Sequence, residues 1–228
     1  MPHSTPRRVA LGVFFLAALA SIAAASTVFA APDGGHRHPE QGPQQLSRET
    51  FHADMRKLWE DHIVWTRQYI VSAATQTDPL PDIGATADRL FANQTDIGSA
   101  IAPFYGEAAG TQLTTLLKEH IAIAADVITA AKASDQDATT VALGRWYANA
   151  DDIASFLATA NPESWPRGEM SAMMRDHLDH TLAEAVARLH GDYPADIAAY
   201  DLVHGQILHM ADMLSDGIIR QFPDRFAR

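Results

Sequence analysis

Cysteine is absent from the 228 residues. That excludes a disulfide framework, a lipid anchor on an N-terminal cysteine and a cysteine nucleophile, so the packed core alone has to stabilise the fold. Basic residues are scarce too. Without Arg7 and Arg8, which belong to a leader described below, 15 Lys and Arg face 28 Asp and Glu, a net charge of −13. Nucleic acid and anionic lipid surfaces reward basic patches, so neither is an expected partner and cations are the more natural small ligands. The chain has no glycine-rich phosphate loop, no Gly-x-Ser-x-Gly elbow and no His-Glu-x-x-His helix. No stretch alternates with period two, which argues against a sheet, and no internal repeat of useful length is legible.

What is present begins with a leader. Arg7 and Arg8 precede an apolar run over residues 9–25, and Val28-Phe29-Ala30 suits cleavage before Ala31, so residues 1–30 read as a signal peptide. The expected location is the periplasm, cell envelope or exterior, with no stable membrane anchor after cleavage; general secretion and twin-arginine export both stay open. Residues 31–46, rich in Pro, Gly, Gln and His, read as a disordered lead-in. There His36 and His38 suit a solvated tail better than a fixed metal site. Residues 47–228 are then one domain.

Within that domain the periodicity is helical. Helices are expected over 47–75, 83–100, 107–133 and 139–160, with two more in a hairpin over 166–222 that turns at Gly191-Asp192-Tyr193-Pro194. Gly191 suits the left-handed position past a helix end, and Pro194 the first turn of the next helix. The fold class is all-α, an up-and-down helical bundle of four long helices plus one or two shorter ones. Met170, Met173, Met174, Met210 and Met213 recur at helical spacing and read as core packing rather than as soft copper ligands.

Apolar stripes on four helices carry one histidine each: His62, His120, His177 and His204. A buried imidazole needs a hydrogen bond, an opposite charge or a metal. Asp201 lies one turn before His204 on a stripe drawn through Ile197, Asp201, His204 and Ile207, and Glu184 falls at the depth of Asp201 across the hairpin. Bundles build metal sites from such inward residues. Hence the expected function is binding of a metal ion, iron, manganese, zinc or copper, with His62, His120, His177 and His204 as first ligands and Asp201 and Glu184 next. Two alternatives stay open: a metal-free envelope protein whose core histidines are hydrogen-bonded and which binds a protein partner or itself, and a metal-dependent oxidoreductase with catalytic residues unknown. Convergence of the four histidines at one depth, with ligand atoms able to approach a common point about 2 Å from each, separates the first reading from the second. Asp212, one residue off the stripe, is expected to bind metal or to pair with a cation such as Arg67.

Met173-x-x-Asp176-His177 resembles the Met-x-x-Asp-His stretch of exported bacterial ferritin-like domains of uncharacterised function, over about one helix. The resemblance implies a small helical bundle of the cell envelope and no particular activity.

Overall fold

Polar caps and prolines divide the chain into its helices. The computed structural model describes residues 45–75 and 77–227; the leader, its arginines, His36 and His38 lie outside the described residues. Ser47 accepts the Thr50 N–H and starts α1 (Arg48–Ala73), after which a Pro-containing link leads to α2 (Ile83–Tyr105). Gly106, at φ 88°, turns the chain directly into α3 (Glu107–Lys132). Asp135 caps α4 (Gln136–Ala160), Pro166 precedes α5 (Arg167–Leu189), and α6 (Tyr193–Gln221) begins where Asp192 accepts the Ala195 N–H. The last turn before α6 is the expected one: Gly191 sits at φ 73°, and Pro194 lies in the first helical turn. A short 3-10 turn, α7 (Pro223–Arg225), ends the chain.

These elements make an all-α bundle in which each long helix packs on its neighbour in sequence and α6 closes back on α1. The α2 helix, expected to be short, has 23 residues, as many as α5. Two close approaches set the packing. A Cβ at Gly98 would stand 2.5 Å from the Gly110 carbonyl oxygen, so glycine lets α2 and α3 touch there, and one at Gly217 would stand 2.2 Å from Trp165 Nε1. Among the described residues no helix is long and apolar enough to cross a membrane.

Both termini of the described chain are tied to one end of the bundle. Leu46 was expected to belong to a disordered lead-in, but it exchanges backbone hydrogen bonds with the C-terminal segment, donating to Arg225 O at 2.9 Å and accepting from Ala227 N at 2.8 Å. Beside that bridge Phe51, Phe104 and Phe226 form a ring cluster with centroids 5.2–5.7 Å apart. Burial of these rings gives Leu46 its anchor.

Candidate metal centre

His62, His120 and His177 occupy the middle of α1, α3 and α5, and all three are buried. The ring centroids of His62 and His177 lie 5.8 Å apart, those of His177 and His120 6.4 Å apart. Three of the four expected histidines therefore come together in the core, with His177 close to each of the other two.

The intervening helices clamp the rings. His120 Nδ1 lies 2.9 Å from Asn149 Oδ1, and the Asn149 amide nitrogen donates to the Leu116 carbonyl at 3.2 Å. His177 repeats this arrangement: Nδ1 is 3.2 Å from Gln206 Oε1, whose amide nitrogen donates to the Met173 carbonyl at 3.1 Å. A carbonyl can only accept, so each amide is held with its nitrogen toward the backbone and its oxygen toward the ring. The ring nitrogen facing that oxygen must then carry the proton. It follows that His120 and His177 are neutral Nδ1–H tautomers, leaving an unprotonated lone pair on each Nε2.

On the first hairpin the same backbone bond is made, from Asn93 Nδ2 to the Leu58 carbonyl at 3.0 Å. In each hairpin the accepting carbonyl lies four residues before the histidine. Here, however, Asn93 Oδ1 accepts from Gln94 Nε2 at 3.1 Å, and His62 Nδ1 and Gln94 Oε1 are both buried without a hydrogen bond of normal geometry. The three hairpins thus share one pattern. Met55, Leu113 and Met170 lie seven residues before the histidines, and Ile63, Ile121 and Leu178 one after, all buried. The shared positions are few and mostly matched by residue class, and the step from histidine to amide is 29 residues in the second and third hairpins.

Burial is the main influence on these rings. Desolvation drives His62 well below its usual range, with the neighbouring His177 and His120 adding to the effect. It lowers His120 to about 4 and His177 to about 3. All three are neutral near pH 7. Two indoles extend the row: Trp59 stands 5.9 Å from His62 and Trp146 5.4 Å from His120, each with a buried Nε1–H lacking a partner.

The other expected ligands lie elsewhere. His204 is on the flank of α6, where Nε2 meets Glu60 Oε1 at 2.8 Å, with the two side chains 38% and 46% exposed. Asp201 is exposed, as is Ile197 of the same expected stripe. The inward face of α6 instead runs through Asp196, Ala199, Val203, Ile207 and Met210. Asp196 can point inward because Arg67 and Arg188 reach it at 2.8 and 3.3 Å. Glu184 is buried in that same group, 2.7 Å from Arg67, and serves as a counter-ion there. Asp212 does form an ion pair, with Arg56 at 2.5 Å rather than with Arg67.

As the side chains stand, no three histidine, aspartate or glutamate residues among those described surround a common point at ligand distance. A further constellation escaped the sequence reading: His52 lies between Ser215, 2.7 Å from its Nδ1, and Asp216, 3.2 Å from its Nε2. The residue types suit a hydrolytic triad, yet Ser215 is fully buried and its hydroxyl lies 2.8 Å from the Ala211 carbonyl that takes its proton. No substrate reaches it, and the group fastens α1 to α6. No family model, curated protein or solved structure matches the chain.

Proposed function

We propose that this protein binds one transition-metal ion between His62, His120 and His177. The observation that carries the reading is the amide clamp on His120 and His177: it holds each Nδ1–H and leaves Nε2 unprotonated, with its lone pair able to bind a metal. Metal-ligating histidines characteristically donate their other N–H to such an outer partner. Coordination through Nε2 at about 2.0–2.1 Å would draw ring centroids to within about 5.5 Å of one another. From spacings of 5.8 and 6.4 Å this is a contraction of under about 1 Å for each of those two pairs. The ligand set differs from the one expected from sequence: it is all imidazole, without Asp201, Glu184 or His204.

The wide spacing of the rings, 5.8 and 6.4 Å, favours a second reading, in which the clamped imidazoles only fix hairpin register. Elemental analysis of untagged protein separates the two. One ion per chain in the parent, absent from folded His120→Ala and His177→Ala variants and retained by His204→Ala, supports the centre. A parent that takes up no ion after exposure to iron, manganese, zinc and copper leaves the register reading.

A further inference from the structure

The charge around the three imidazoles says which kind of ion they suit. Their outer partners are the neutral amides Asn149 and Gln206, where a carboxylate would supply negative charge. The acidic neighbours in sequence do not compensate. Glu119 and Asp176 are exposed, Asp61 is engaged by Lys57, and Glu60 by His204. The buried carboxylates Glu184 on α5 and Asp196 on α6 are engaged by Arg67 and Arg188. An ion among the histidines would keep its full charge inside the core.

Solvent offers little relief. The cavities on the two sides of the histidine level are about 30 and 20 Å³, room for about one water each, and their walls are almost wholly apolar, with Trp146 in one and Trp59 in the other. Neither cavity gives a dication room to keep a shell of water or hydroxide. The cost of burying an ion scales with the square of its charge, so a dication costs about four times as much as a monocation in the same cavity. Imidazole nitrogens select the borderline and soft transition ions over magnesium, calcium and manganese. Among the ions that imidazole suits, the cuprous ion is singly charged and is satisfied by three ligands.

We infer that the His62, His120 and His177 centre is selective for a singly charged soft cation, cuprous copper, over divalent ions. This rests on the proposed metal centre and adds the ion's charge to it. The test is anaerobic competition titration of the full-length protein with Cu(I) and Zn(II) against chromophoric chelators, with Ag(I) as a redox-inert monovalent probe. The expected result is one Cu(I) or Ag(I) per chain, at least a hundredfold tighter than Zn(II). Asn149→Asp and Gln206→Glu each add a negative charge beside a ligand and are expected to narrow that preference at least tenfold, mainly by tightening Zn(II). Two variants on different hairpins guard against one failing to fold, which circular dichroism reports. Zn(II) bound as tightly as Cu(I) by the parent, or a preference unmoved in folded variants, overturns the monovalent assignment and leaves the metal centre standing. A folded parent that binds none of the three ions, nor iron or manganese, overturns both.

Discussion

Two regions of this bundle bury polar side chains, and they satisfy them in opposite ways. Toward one end Arg67 joins Glu184 at 2.7 Å and Asp196 at 2.8 Å, and Arg188 adds a second cation on Asp196 at 3.3 Å. Every charge there has an opposite charge in contact. At mid-height His62, His120 and His177 carry no charge near pH 7, amides clamp His120 and His177, and His62 Nδ1 and Gln94 Oε1 are buried without a partner. Inward polar residues therefore mean different things according to what remains after partners are counted: the first region is saturated, the second is left with acceptors to spare.

The two regions respond oppositely to pH, which gives the largest expected effect. The folded histidines titrate below the unfolded value of 6.5, so the stability they contribute is present above that pH and is lost as pH falls toward about 4 and 3 for His120 and His177. With three extra protons bound by the unfolded chain, stability should fall by up to about 4 kcal/mol per pH unit between roughly pH 6 and 4. Burial pushes the Glu184 carboxyl up to about 7 in spite of Arg67, so its contribution is present below the unfolded value of 4.5 and is lost as pH rises through 7. It opposes the histidine trend by about one proton. Urea denaturation from pH 7.5 to 4.5 measures the sum, and Glu184→Gln should steepen the acid loss by about 1.4 kcal/mol per pH unit. A profile flat in the parent would mean the histidines are not buried neutral.

Next in size is Arg67→Met. It leaves Glu184 without its bridging cation and Asp196 with Arg188 alone, and loss of one partner from a buried pair costs about 3–5 kcal/mol. A loss below about 1 kcal/mol in chemical denaturation would show that water reaches the group and that the contrast between the regions is false.

Gln206→Ala tests the clamp. It strands His177 Nδ1–H and removes the bond to the Met173 carbonyl, and an unsatisfied buried donor costs about 1–3 kcal/mol. The nitrogen chemical shifts of His177 report the tautomer; if the Nδ1–H form persists unaltered, the amide does not set it.

Smallest is Trp146→Phe. It removes a buried N–H that has no partner while retaining a ring beside His120, so the change should stay within about 1 kcal/mol. A larger loss would reveal an acceptor for that N–H in the core.

Much of the framework was legible in the sequence. Gly191 and Pro194 marked their turn, and the apolar period marked the long helices, because these depend on backbone sterics and local hydrogen bonds. Helical phase was harder. On α6 the eye followed Ile197, Asp201 and His204, while the packed face follows Asp196, Ala199 and Val203, since Arg67 and Arg188 made an inward Asp196 acceptable. The inward placement of His62, His120 and His177 was legible because each lies among large apolar neighbours at helical spacing. His204 failed because the stripe drawn through it was rotated from the true one.

The sequence alone determined that the chain forms helices, where they begin and turn, and that several histidines sit on faces meant for a core, since those properties act over a few residues. Only the tertiary structure decided that three histidines from α1, α3 and α5 meet while a fourth does not, and that Asn149 and Gln206 fix two ring tautomers. Those outcomes depend on how each helix is rotated about its axis and which neighbour it packs against, and contacts between residues far apart in the chain set both.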